Sequence, residues 1–408
     1  MSAIFSLSVG LSNTFVNIYL WKVDKSYTAI GWYNLAMYVF VPAAFVASGW
    51  IANRRYSVST LRIGIVLHAC FYLLALIGGT VMARMPVFLG SVMGAAEGFY
   101  WYSFNFLSLR LTESNSRDRF YGQNGALVAV ANMIAPVLSG ILIAQEDRFG
   151  PFNGYHVMFA ISLALFLLAT LVTAKLRSEP ISGQLSIVPG LKLVRQAPWR
   201  HLLLGCYIYG LREGVFLFLI GLLMYLATSS EVRLGEFLFL QNLLSFVAFY
   251  FAGKFLKPAN RLTVLGTGAV AMAMASLLFL RPITTVVIVL YGVALALAFP
   301  VFIVPLQSMI FDTISALDKT GSQHDEQIIA REIAENGGRV TGIAAFLVIT
   351  AISSSTRTVA SFALVLGFVQ VASWLVIRQG YQNRRGGGRR RGRGQQKEVL
   401  TWRNPSPS

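Results

Sequence analysis

Apolar runs of roughly twenty residues, each cut short by a charged or Gly/Pro-bearing stretch, recur along this 408-residue chain from its first positions onward. A helix rising about 1.5 Å per residue needs about 20 apolar residues to cross a hydrocarbon core about 30 Å thick, whereas a barrel strand needs only about 10. The runs therefore predict membrane-spanning helices, which alone among open elements satisfy every backbone group internally in lipid. Boundaries read from charges and Gly/Pro clusters place the spans at 3–21, 28–52, 58–82, 86–108, 121–144, 152–174, 200–227, 234–256, 261–280, 283–310, 338–354 and 358–377. The expected architecture is an all-α integral membrane protein of twelve transmembrane helices. It divides into an N-terminal six-helix lobe (1–175), an interlobe loop (176–199), a C-terminal six-helix lobe (200–378) and a tail (379–408).

Composition excludes the soluble alternative. Hydrophobic residues make up 55% of the chain and charged residues 12%, against about 25% charged in soluble domains. The basic residues then orient the helices, because Lys and Arg of short loops stay on the cytoplasmic side. With the N-terminus inside, cytoplasmic segments hold sixteen Lys and Arg and the opposite loops seven, so both termini are expected in the cytoplasm. The tail from Arg378 onward adds nine basic residues and one acid, Glu398. Its GGGRRRGRG run reads as disordered, held by anionic lipid headgroups and not by nucleic acid. The opening MSAIFSLSVGL has no basic region of the kind a signal peptide carries and reads as the first helix. Cys70 and Cys206 both lie in apolar runs and suggest neither a disulfide nor a metal site. Short outer loops without an Asn-x-Ser/Thr sequon favour a bacterial inner membrane.

The two halves repeat. Gly10-Leu11-Ser12-Asn13 in helix one is matched by Gly210-Leu211-Arg212-Glu213 in helix seven, and Arg119 stands before Asn124-Gly125 as Arg331 stands before Asn336-Gly337. Parallel six-helix repeats are a transporter architecture. With this layout, the chain resembles the major facilitator superfamily. The segment Gly49-Trp-Ile-Ala-Asn53-Arg54-Arg55 is similar to that family's Gly-x-x-x-Asp-Arg-x-Gly-Arg loop, with Asn53 in the aspartate position and the second glycine missing. Ala135-Pro136-Val137-Leu138-Ser139-Gly140 resembles the Gly-Pro-x-x-Gly-Gly segment of the family's proton-coupled exporters, with alanine and serine in place of two glycines. The resemblance implies a gating loop at Gly49, Asn53, Arg54 and Arg55, a helix-five hinge at Pro136 and Gly140, and a central cavity lined by helices one, four, seven and ten.

Ionisable groups deep in a membrane helix cost about 2.5–3.5 kcal/mol on insertion scales, and so mark function. Glu97, Arg212 and Glu213 sit near the midplane of their helices. The resemblance puts Glu97 and Arg212 on opposite lobes, where they are expected to meet, leaving one acid over to carry a proton; a fixed salt bridge between the lobes is the alternative. Asn13 and Asn17, Asn34 and Gln241 add polar groups at similar depth, as substrate ligands or as interhelical glue. Tyr100, Trp101, Tyr102, Tyr207, Tyr209 and Phe216 are candidates to wall a pocket for an apolar or cationic solute. His68 reads as a packed histidine. Asp312, Arg331, Glu332, Glu335 and Arg339 form a charge-rich group near the cytoplasmic ends of helices ten and eleven, able to pair across the lobes.

No Gly-x-x-x-x-Gly-Lys-Ser/Thr, His-Glu-x-x-His or Cys-x-x-Cys motif is present. The expectation is a transporter and not an enzyme, monomeric, without cofactor, with a small-molecule substrate and protons as partners. It is expected to export a hydrophobic or amphipathic compound against protons. The alternatives are uptake or exchange of a small polar or anionic metabolite, flipping of a lipid-linked substrate, and a receptor or scaffold that transports nothing.

Overall fold

A chain this apolar folds by turning each run into a helix, and the computed structural model holds twelve among the residues it describes. It describes residues 2–54, 57–111, 114–145, 153–175, 197–317 and 324–401. In chain order the helices are α1 (Ser2–Asp24), α2 (Tyr27–Arg54), α3 (Ser57–Ala83), α4 (Pro86–Leu111), α5 (Ser114–Ile143) and α6 (Asn153–Ala174). The second set is α7 (Ala197–Thr228), α8 (Glu231–Phe255), α9 (Arg261–Ser276, continued by a 3-10 turn at Leu277–Leu280), α10 (Thr285–Leu317), α11 (His324–Ile352) and α12 (Thr356–Thr401). Among the described residues, nine are long and apolar enough to cross a membrane; α4, α5 and α11 are not in that set. Those three carry Glu97, the Arg117-Asp118-Arg119 segment, and Arg331 to Arg339.

Helix five begins at Ser114, not near 121, and helix ten runs to Leu317, not 310; two further boundaries also differ from the sequence reading. Helix eleven begins at His324, not near 338, because Arg331, Glu332, Glu335 and Arg339 neutralise one another on one helix face and so need not mark a loop. The final helix continues through Thr401, where the Arg/Gly composition suggests disorder. Extending a nucleated helix costs little per residue and Arg is a fair helix former.

The two sets pack in the same way. In the first, α1 lies on α5 and α6, α2 on α4, and α3 on α4 and α6; in the second, α7 lies on α11 and α12, α8 on α10, and α9 on α10 and α12. The lobes meet through α2 with α11, α5 with α8, and α1 with α7, contacts that a two-fold along the membrane normal interchanges. Membrane helices associate through close packing, and small residues let backbones approach. In α4, Gly90, Gly94 and Gly98 lie one turn apart, and a Cβ on each would overlap the carbonyl oxygens of Tyr33, Met37 and Val41 in α2. In the other lobe Gly210 and Gly214 of α7 face Glu335 and Arg339 of α11, and Gly338 and Gly342 face Tyr207 and Leu211.

One apolar cluster seals the lobes together on the side away from the chain ends. It joins Phe15, Tyr19 and Leu20 to Phe218, Leu222, Tyr225 and Phe346. Gly31 abuts Leu347 there, Gly221 abuts Thr14, and Gly140 and Gly235 bring α5 against α8. Lys22 crosses the same end to Glu231 at 3.0 Å, and the Tyr155 hydroxyl donates to that carboxylate oxygen at 3.0 Å.

Candidate functional site

The seal leaves a cavity of about 520 Å³ between the lobes, in the half nearer the chain ends. Val9 and Asn13 of α1, Tyr38 of α2, Glu97, Trp101 and Asn105 of α4, and Glu213, Arg331, Glu332, Glu335 and Arg339 of α7 and α11 are among its lining residues. The α4 glycine row sets this wall. Holding α4 against α2 along one face leaves the Glu97 and Trp101 side toward the gap.

Each lobe contributes differently. On the C-terminal side, Arg339 donates to Glu213 Oε2 through Nε at 3.0 Å and through an Nη at 2.7 Å, to Glu335 at 2.5 Å and to Asn336 at 3.1 Å. Its guanidinium also lies over the Tyr38 ring of the other lobe, 5.1 Å from the centroid. Arg331 pairs with Glu332 at 3.1 Å and Glu335 at 3.3 Å, and donates to Gln307 at 3.2 Å. The close approach of α7 to α11 makes this possible, since Gly214 stands beside Glu213 and a Cβ there would come within 2.7 Å of the Arg339 Cα. On the N-terminal side, a single carboxylate lines the cavity among the described residues. Glu97 accepts from Trp101 Nε1 at 2.5 Å, and its other oxygen lies 3.7 Å from His68 Nε2. Among the described lining residues, four carboxylates thus face two guanidiniums. Glu97, among the described residues, has no arginine or lysine within ion-pair distance.

The expected meeting of Glu97 with Arg212 does not occur. Arg212 is 2% exposed, donates to the Tyr291 hydroxyl of α10 at 2.7 Å, and lies 4.1 Å from the centre of the Phe216 ring. Successive helical residues point about 100° apart, so with Glu213 facing α11 its neighbour turns into the C-terminal lobe. Glu213 is correspondingly no spare acid.

Of the amides, Asn13 lines the cavity. Asn17 and Asn34 are buried and bond each other, with Asn34 Nδ2 donating to Asn17 Oδ1 at 2.8 Å, so they tie α1 to α2. Gln241 reaches the Gly292 carbonyl at 3.4 Å and ties α8 to α10. The aromatic wall is smaller than expected. Trp101 faces the cavity, Tyr100 is buried and stacked on Phe5, and Tyr102, Tyr209 and Phe216 are core residues.

Gly49 to Arg54 belong to α2, with no break before Arg54. The side chains of Asn53 and Arg54, and Arg55 altogether, lie outside the described residues. Pro136 and Gly140 sit at the α5 to α8 seam, where the Pro136 carbonyl meets Gly235. The first-half charges from Arg110 to Arg119 lie outside the described side chains.

Two features escaped the sequence reading. One is the depth of the α11 charges, signalled by their four-residue spacing at Arg331, Glu335 and Arg339, which stacks them on one helix face. The other is the approach of His68 to Glu97: the histidine is packed, as its apolar run suggests, but nothing in that run signals the carboxylate 3.7 Å away.

The family model for the Major Facilitator Superfamily matches residues 1–322. An uncharacterized protein, YqgE, of Bacillus subtilis (strain 168) is 35% identical over 354 residues, covering 86% of this chain and 81% of that protein. The nucleoside transporter NupG superposes with a TM-score of 0.71 at 13% identity, covering 93% of this chain and 97% of that one. The E. coli fucose:proton symporter FucP gives 0.63 at 15% identity, covering 93% and 97%.

Proposed function

This chain belongs to the major facilitator superfamily, and on that premise we propose that it exports an amphipathic organic cation in exchange for protons. General secondary transport follows from the family. The finer reading is carried by the charge of the cavity, in which four carboxylates face two guanidiniums and Glu97 lies beside the exposed Trp101 indole. A desolvated cation is stabilised by an aromatic face together with a carboxylate. Glu97 is the group for which the cation and the proton compete. An anionic metabolite would need a free guanidinium; among the described residues at the cavity, Arg331 and Arg339 are both held by carboxylates, and Arg212 is turned away.

In this reading the lobes, 1–175 and 200–378, rock about the cavity, and Pro136 and Gly140 at the α5 to α8 seam move with the outer closure. The bias of basic residues supports termini in the cytoplasm, and the Bacillus subtilis relative supports a bacterial cell; in that orientation the cavity faces inward and the Lys22 to Glu231 end faces out. The Arg-rich tail rests on anionic headgroups.

Proteoliposomes with an imposed pH gradient test the reading, with tetraphenylphosphonium set against organic anions. The expected result is gradient-driven tetraphenylphosphonium movement that Glu97→Gln abolishes. Gradient-driven movement of an anion instead, lost in Arg212→Ala, overturns it. Full transport after deletion of 379–408 removes the scaffold alternative.

A further inference from the structure

His68 is completely buried in α3, one helix away from the cavity. Phe166 of α6 stacks on its ring at 5.0 Å and Phe5 of α1 meets it edge-on at 5.0 Å. Nδ1 lies 2.8 Å from the Gly64 carbonyl. A carbonyl only accepts, so Nδ1 carries the hydrogen whatever the charge of the ring. Nε2 is then the nitrogen left free to take up or release a proton. It has no hydrogen-bond partner and points toward Glu97 Oε1 at 3.7 Å.

Trp101 occupies the second carboxylate oxygen at 2.5 Å, which leaves Oε1 for the imidazole. Two bare acceptors at this separation repel, and one proton on either turns the contact attractive. Among the described residues, the imidazole meets Phe5 of α1, Phe166 of α6 and Tyr100 of α4, while Tyr72 of α3 bonds Ser12; the other charges, Glu213, Arg331, Glu332, Glu335 and Arg339, line the cavity that Glu97 also lines.

We propose that His68 and Glu97 form a single proton-holding pair, in which the buried imidazole stores the proton and Glu97, the member that lines the cavity, delivers it. This rests on the exchange reading above. With the proton on Nε2 and the carboxylate ionised, the pair is neutral. Transfer of the proton from Nε2 to Oε1 and on to cavity water leaves a neutral imidazole and one negative charge, which a monovalent cation then balances. One proton therefore leaves for each cation bound. His68 is a positioning residue, because it acts on the substrate only through Glu97.

The pair can be followed without transport. The chain has four histidines, and the ring carbon signals of the 13C-histidine-labelled full-length protein in detergent micelles can be recorded from about pH 5 to about pH 9. His68 is identified by its loss in His68→Gln or, if that variant does not fold, by elimination with His156→Gln, His201→Gln and His324→Gln. The expected result is a His68 signal whose pH dependence in wild type differs from that in Glu97→Gln, as coupled groups require. A pH dependence unchanged in Glu97→Gln overturns the pair. Adding tetraphenylphosphonium to weakly buffered wild type is expected to release one proton per cation bound. If His68 titrates with Glu97 and no cation is transported, the exchange reading falls and the pair stands; cation transport with an unresponsive His68 removes the pair alone.

Discussion

Replacing Arg339 by Met is the most direct test of the C-terminal charge network. The side chain is 14% exposed and gives two hydrogen bonds to Glu213 and one to Glu335. Met preserves much of the aliphatic volume and removes the charge. Glu335 keeps Arg331 at 3.3 Å, whereas Glu213 loses its ion-pair partner at 15% exposure. Breaking a buried pair from one side costs about 3–5 kcal/mol, most of it the desolvation of the abandoned charge. Removing both partners, in Arg339→Met with Glu213→Leu, leaves no such charge, so the double variant is expected to lie within about 1–2 kcal/mol of wild type. The coupling is then at least about 2 kcal/mol, well above the error of a double-mutant cycle. The assay is reversible unfolding in mixed micelles followed by helical circular dichroism, for wild type, both single variants and the double variant. The Arg339→Met penalty is expected to shrink as pH falls and the orphaned carboxylate is protonated. A single variant within about 1 kcal/mol of wild type, or a cycle that is additive, would refute the reasoning.

Three further outcomes follow from other contacts. Lys22→Ala removes one side of the Lys22 to Glu231 bridge at the sealed end while Tyr155 keeps its bond to Glu231; a loss of about 1 kcal/mol, or about fivefold in the closed-to-open ratio, is expected as faster thiol labelling of a cysteine placed at Asn13 from the outer side. Gly338→Leu puts a side chain onto the Tyr207 carbonyl and is expected to abolish folded protein in size-exclusion chromatography, whereas Gly253→Leu, with open space around it, is expected to express normally. Arg212→Met removes the bond to Tyr291 and is expected to lower stability while leaving the preference for cations over anions unchanged, as read by competition with labelled tetraphenylphosphonium.

Helix number and the two-fold repeat were legible because they depend on local quantities. Run length against bilayer thickness predicts a span wherever the run lies in the chain. The pairing of Gly10 with Gly210 was legible for the same reason, and the structure packs each against the fifth helix of its own half. Glu97 was legible because an acid in an apolar run is costly anywhere along it. What sequence alone could not determine was which partner each ionisable group would face. Arg212 and Glu213 are neighbours in the chain, yet the rotation of α7 sends one to Tyr291 and the other to Arg339, and that rotation is set by where Gly210 and Gly214 allow α11 to approach. His68 joined Glu97 only because the packing of α3 on α4 brought two distant positions together. Burial cost is a property of a residue and its helix, while pairing is a property of the packed bundle, so the membrane fold was written in the pattern of residues and the composition of its cavity was decided by tertiary contact.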